Sequence, residues 1–354
     1  MIGLNNPIGY KSIQQLEKPF IMNPFRFPIA VPEPTIAGWK EVGRTTLGSA
    51  GTSINVTGLP NKKYYMILAS PRRSSTGSAG YNFDSSTATD YAFRYSNNGS
   101  GSSTGTNDNR IFSNGNGSST NTLFHVGYVA NVASKEKLII FQAGEAAGSG
   151  AGSAPERFEQ FGKYSQTSTP LTAIGLNATS NYAAGSELVI LGWDPTDTHT
   201  DNFWEELASV NITSGSQMTA TFADKKYLWI QFYYEVSTTS SELFFNNDQG
   251  NNYARRYSNN GGSDGTTVNT PAITTNFGFD TNPHYGSMFV VNNSANEKLV
   301  IANLTMQMGS GAATTPQRTE LVSKWVNTSS QINRFDITNT GTFSRCICKV
   351  WGSN

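Results

Sequence analysis

Tyr91-Ala92-Phe93-Arg94-Tyr95-Ser96-Asn97-Asn98-Gly99 returns as Tyr253-Ala254-Arg255-Arg256-Tyr257-Ser258-Asn259-Asn260-Gly261. A string this specific, met twice, makes the chain an internal duplication, and further matches in the same order extend it. Lys62-Lys63-Tyr64 answers to Lys225-Lys226-Tyr227. Glu136-Lys137-Leu138-Ile139-Ile140 answers to Glu297-Lys298-Leu299-Val300-Ile301, and Pro155-Glu156-Arg157 to Pro316-Gln317-Arg318. Lys163-Tyr164 answers to Lys324-Trp325. Trp39 and Trp204 open the two copies, and Trp193 and Trp351 close them. The spacing between matches drifts from 165 to 158 residues, as happens when only loops change length. The organisation that follows is an N-terminal arm over 1–37, a first repeat over 38–195 and a second over 202–354. Asp194-Pro195-Thr196-Asp197 reads as a turn between the repeats.

Within each repeat the apolar runs are short, rich in β-branched and aromatic residues, and bounded by Gly, Asn, Ser and Pro. That is the signature of strands. The first repeat offers 53–57, 63–69, 91–95, 123–129, 137–142, 156–164, 171–176 and 187–193. The second offers 227–234, 285–291, 299–306, 318–326, 331–337 and 344–351. The best helical stretch, 202–210, is short and is matched by the non-helical start of the first copy. About eight strands in some 150 residues fits an all-β chain of two tandem jelly-roll-type β-sandwich domains. The runs Tyr64–Leu68 and Leu138–Phe141 are continuous rather than alternating, which predicts cover on both faces, from the sister domain or another subunit. The Gly/Ser/Asn-rich stretches 96–122 and 144–154 read as long loops at the sandwich ends.

Composition narrows the function. Of 354 residues 37% are hydrophobic, 12% aromatic and 14% charged, with a formal net charge of zero. The aromatics and neutrality argue against disorder. Without clustered Lys and Arg there is no electrostatic footprint for nucleic acid. No run approaches the roughly 18 apolar residues of a membrane span, and Met1–Tyr10 lacks the basic start and apolar core of a secretory signal. The arm carries Pro7, Pro19, Pro24, Pro28, Pro32 and Pro34 around Phe20, Phe25 and Phe27. Proline at that density blocks regular structure, and three phenylalanines need cover. The expectation is an extended arm docking through Phe20, Phe25 and Phe27, on a neighbouring subunit or on its own domain.

Chemistry is hard to place. His125 and His284 lie in or beside strands and His199 between the repeats, with no motif that makes a nucleophile or a metal site of them. Glu156 and Glu159 could line a glycosidase site, but the second copy has Gln317 in place of Glu156. Asp84, Asp90, Asp108 and Asp248 sit in Asn/Gly-rich loops, without the ordered string of a calcium loop. Cys346 and Cys348 share one strand face as two small buried hydrophobes. The expectation is therefore no enzyme and no cofactor. The repeated string admits two readings. Tyr91, Arg94, Tyr95, Tyr253, Arg256 and Tyr257 could stack on a sugar or anchor a partner. Alternatively, the string is a core strand running into a hairpin turn.

Gly43-Arg44-Thr45-Thr46-Leu47-Gly48-Ser49-Ala50-Gly51, the repeated string, and the closing Tyr182–Gly192 stretch resemble β-sandwich domains in structural proteins of tailed phages, often marine. In the second copy the closing element is reduced to Thr342-Phe343-Ser344-Arg345. The resemblance spans both repeats and leaves out the arm. It implies a virion protein: a capsid-surface decoration, fibre or tail component, meeting other virion proteins and copies of itself. A homo-oligomer is expected, with a trimer favoured because three two-domain subunits give a pseudo-sixfold capsomer. The alternatives are a double jelly-roll major capsid protein and a carbohydrate- or receptor-binding protein of the virion that contacts a host surface glycan.

Overall fold

The computed structural model describes residues 38–354, other than 74, 76, 114–120, 238–240 and 276–281. The chain is all-β. Its first twelve strands are β1 (Lys40–Thr46), β2 (Gly51–Thr57), β3 (Tyr64–Ser70), β4 (Ala79–Phe83), β5 (Tyr91–Asn97), β6 (Ser103–Asp108), β7 (Ile111–Ser113), β8 (Leu123–Ala130), β9 (Lys137–Glu145), β10 (Glu156–Tyr164), β11 (Ala173–Tyr182) and β12 (Glu187–Trp193). Twelve more follow: β13 (Glu205–Ile212), β14 (Gln217–Thr221), β15 (Tyr227–Val236), β16 (Ser241–Phe245), β17 (Tyr253–Asn259), β18 (Gly265–Thr270), β19 (Thr274–Thr275), β20 (His284–Val291), β21 (Lys298–Met306), β22 (Gln317–Trp325), β23 (Arg334–Asn339) and β24 (Phe343–Ser353).

The duplication extends to topology. The first repeat has an eight-stranded sheet in the order β1-β12-β3-β8-β9-β10-β5-β6 and a four-stranded sheet β2-β11-β4-β7. Adding twelve to each number gives the second repeat: β13-β24-β15-β20-β21-β22-β17-β18 and β14-β23-β16-β19. In each repeat the two sheets face one another across an apolar core. Ile54, Val56, Tyr81, Phe83, Ile174 and Leu176 from the small sheet meet Tyr65, Ile67, Ile139, Phe141, Leu188 and Ile190 from the large one. The second core is built likewise, and Cys346 and Cys348 lie in it as free, buried thiols. Burial alone pushes the Cys346 thiol up to about 12, so neither cysteine is a reactive thiolate.

The strands expected from apolar runs are present, and 156–164 and 187–193 match to the residue. Several strands were not legible. Stretch 96–122 is not one loop: β6 and β7 lie inside it. Residues such as Ser103-Thr104-Gly105-Thr106 carry no apolar signal, because β6 is the outer strand of its sheet and is largely exposed. The short helical candidate 202–210 is instead the start of β13, whose pairing with β24 decides its state. The turn at 194–197 forms as read, with the Asp197 amide donating to the Asp194 carbonyl. Among the described residues no helix is long and apolar enough to cross a membrane.

Candidate functional site

The repeated string is a device for joining strands. Tyr91 and Tyr253 point into the cores and are fully buried. Each hydroxyl accepts the amide hydrogen of the strand beneath, Phe83 at 2.8 Å and Phe245 at 2.9 Å. At the other end Asn98 and Gly99, like Asn260 and Gly261, take positive φ, the turn that Asn-Gly favours. Asn98 then grips the next strand, donating from its amide to the Arg157 carbonyl and accepting from the Arg157 amide on its side chain at 2.9 Å. Asn260 does the same to Arg318. The two matched segments recur together because they are bonded together.

This corrects part of the partner-contact expectation. Tyr91 and Tyr253 are core residues and face no partner. Tyr95 is half-buried and packs on Phe158, with ring centroids 5.4 Å apart. Tyr257 is half-buried beside the Arg255 guanidinium. Arg256 donates to the Pro155 carbonyl across the boundary between repeats at 2.8 Å. Only Arg94 of the six is exposed. Phe20, Phe25 and Phe27 lie outside the described residues.

Where the outer faces of the large sheets meet, they form a third apolar cluster. Met66, Leu68, Phe124, Val126, Val189 and Leu191 of the first repeat pack on Tyr227, Val291, Leu299, Ile301 and Val322 of the second. This accounts for the continuous run Tyr64–Leu68: Tyr65 and Ile67 fill the core, while Met66 and Leu68 fill the interface. Polar groups frame the cluster. Glu187 accepts from the Tyr227 hydroxyl at 2.8 Å and pairs with Lys226 at 2.8 Å and Arg44 at 3.2 Å. Burial works to raise its carboxyl, but the bonds from Lys226, Thr46 and Tyr227 hold it below the usual range. Arg157 pairs with Asp264 at 2.7 Å, and Gln142 and Asn303 exchange hydrogen bonds at 3.2 and 3.1 Å. Lys324, wholly buried, donates to the carbonyls of Ala146 at 3.0 Å and Gly148 at 2.6 Å and pairs with Glu297 at 3.2 Å.

The second continuous run is covered on one face only by the described chain. Ile139 and Phe141 enter the core, but Leu138 is 59% and Ile140 48% exposed. Strand register places Tyr128, Ile140 and Phe161 side by side across β8, β9 and β10, ending at Arg94 on β5. Phe161 is 57% exposed. The equivalent row in the second repeat is Phe289, Ile301, Val322 and Arg256. There Ile301 and Val322 are 3% and 1% exposed, and Leu299, the counterpart of Leu138, is buried completely.

The other candidates are structural. The ring Nδ1 of His125 lies 2.8 Å from the Tyr81 hydroxyl, in a site whose burial lowers its pKa to about 3. His284 stacks on Tyr234. Asp84 accepts from the Thr172 and Ala173 amides, and Asp248 from the Trp325 indole, the Gly250 amide and Asn252. Both oxygens of Asp248 are taken by these donors, and the donors to Asp84 converge on its Oδ1. Glu159 pairs with Arg157 beside the domain boundary. An open pocket of about 390 Å³ on the second repeat is lined by Tyr233, Tyr285, Thr305, Met308 and Pro316. The apolar face of β8–β10 carries the second continuous run, and the sister domain does not supply its cover among the described residues.

No family model matches the chain, and no curated protein matches it. Among solved structures it is similar to Ail, the attachment invasion locus protein of Yersinia pestis. The identity is 10%, over 75% of this chain and 98% of that one, with a TM-score of 0.12. A likeness at that level carries no argument about fold or function.

Proposed function

We propose that the chain is a structural subunit of a virus particle and not an enzyme. The reading rests on what the two repeats share. Each keeps a hydroxyl-pinned tyrosine, an Asn-Gly turn gripping the next strand, and a lysine–glutamate pair beside it. The one carboxylate pair suited to hydrolysis is not kept, since Gln317 stands where Glu156 would be. What persists twice is scaffold and contact surface, as suits a protein that packs against other subunits.

The strand order supports the jelly-roll part of this reading. Four strands, β5, β6, β9 and β10, extend the large sheet as inserted hairpins. The other eight pair in nested fashion: β1 with β12, β2 with β11, β3 with β8 and β4 with β7. A long antiparallel hairpin rolled upon itself gives that nesting, and its two four-stranded layers are those of a jelly roll. Two such domains in tandem suit a capsid-surface, fibre or tail component, or a double jelly-roll major capsid protein, assembling as a homo-oligomer with help from its arm. Immunogold labelling of particles with antibody to this chain tests the reading. Labelled particles are the expected result, and label only in the soluble fraction defeats it.

A second reading, carbohydrate or receptor binding by the virion, is favoured by the open pocket where Tyr285 presents an exposed ring. Glycan-array binding that falls on Tyr285→Ala would support it, and an array without signal would remove it.

A further inference from the structure

We infer that the outer face of β8, β9 and β10 in the first repeat docks a second copy of this chain, face against face about a two-fold axis. This rests on the reading of the chain as a self-assembling structural subunit and names the surface. Five of the nine large hydrophobic residues that are exposed in the described chain lie here: Tyr64, Tyr128, Leu138, Ile140 and Phe161. Register makes them one patch. Tyr128, Ile140 and Phe161 form one row, Leu138 stands in the next between Ala130 and Lys163, and Tyr64 follows beyond Ala130. A patch of contiguous apolar side chains on a solvated face marks an interaction surface.

The duplication says what kind of surface it is. In the second repeat the same rows are an interface already, with Leu299, Ile301 and Val322 buried against the first repeat. The first repeat retains leucine and isoleucine and enlarges valine to phenylalanine at these places, and among the described residues nothing covers them. The patch is also continuous with the established interface, because Tyr128 is the cross-strand neighbour of Met66, which belongs to it.

The occupant follows by matching chemistry. Leu299, Ile301 and Val322 share one apolar cluster with Leu68, Val126 and Val189 of the first repeat, a surface already in use. Its counterpart on the second repeat is Gln231, Ser287 and Lys349, a polar set aligned across β15, β20 and β24. Pressing an apolar patch on those groups would strip them of water without giving them partners. The surface that suits the patch is the patch itself, and self-matching surfaces close about a two-fold axis. The ion pair Lys163–Glu136, 2.9 Å apart and half exposed, then lies at the rim.

Sedimentation velocity of the full chain across a concentration series tests this, with Phe161→Glu and Ile140→Cys alongside. The wild type is expected to pass from monomer to dimer. Phe161→Glu is expected to stay monomeric with an unchanged thermal midpoint, since the side chain is exposed. Ile140→Cys is expected to form a disulfide-linked dimer on mild oxidation, because a residue near a two-fold axis meets its own copy, whereas the wild type, whose two cysteines are buried, does not. A wild type that is monomeric throughout, a trimer in place of an even-numbered assembly, or association that survives Phe161→Glu would each overturn the proposal. Self-association that appears only after removal of residues 1–37 would also overturn it, by showing the face to be covered within one chain. Particle labelling reports on the virion reading separately, so the two can fail independently.

Discussion

The two repeats hold the same ion pair in opposite surroundings. Lys163 and Glu136 sit on the surface of the first, with side chains 47% and 41% exposed. Lys324 and Glu297 occupy the same places in the second, with exposures of 0% and 12%, closed over by the 146–150 segment of the first repeat. Local sequence and strand position are alike, and the difference comes from what lies above the sheet. Removing water from Lys324 works to lower its pKa, and Glu297 offsets only part of that. The charge is tolerated because two carbonyls and a carboxylate surround it. The same comparison runs through Leu138 against Leu299 and Phe161 against Val322, so one sheet face is buried between the repeats in one copy and left exposed by the described residues in the other.

The largest expected effect separates the lysines. Lys324→Ala strips the buried Glu297 and two carbonyls of their partner and should cost about 3–5 kcal/mol in urea denaturation of the full chain. Lys163→Ala should cost about 0–1 kcal/mol. Equal costs would break the comparison. Tyr227→Phe removes a hydroxyl donor to a buried carboxylate, so a loss of roughly 1.5–3 kcal/mol is expected by the same measurement. Its counterpart Tyr64→Phe, at the exposed patch, should be close to neutral. Where the repeats are alike the costs should agree: Tyr91→Phe and Tyr253→Phe each lose the bond to the strand below, at about 1 kcal/mol.

A smaller, pH-dependent difference belongs to the first repeat. His125 is held neutral in the fold, with a pKa near 3 against 6.5 for the free side chain. The unfolded chain therefore binds a proton that the folded one refuses, and stability should fall as pH drops from about 6.5 towards 3. A urea midpoint followed between pH 7 and 4 should show this slope, and His125→Gln should flatten it. An unchanged slope in the variant would move the acid sensitivity elsewhere.

Legibility in the sequence followed burial. Strands whose two faces are both buried, such as β3 and β12, announced themselves as apolar runs. β6, an outer strand of serine, threonine and glycine, did not, because hydrogen bonding to β5 alone makes it a strand. The repeated Tyr-Ala-x-Arg-Tyr-Ser-Asn-Asn-Gly string was visible at once, but not its role. Alternation could place Tyr91 on one face and Arg94 on the other. Which face looked inward depended on the small sheet laid against it.

The sequence by itself determined the duplication, the all-β class and the turn chemistry, since those depend on local spacing and on residues such as Asn98 and Gly99 that tolerate positive φ. Only the tertiary structure decided which of two equivalent faces is covered. Leu138 and Leu299 stand in nearly identical strings. Their environments differ because the second repeat turns that face towards the first, and burial depends on contacts between residues far apart in the chain.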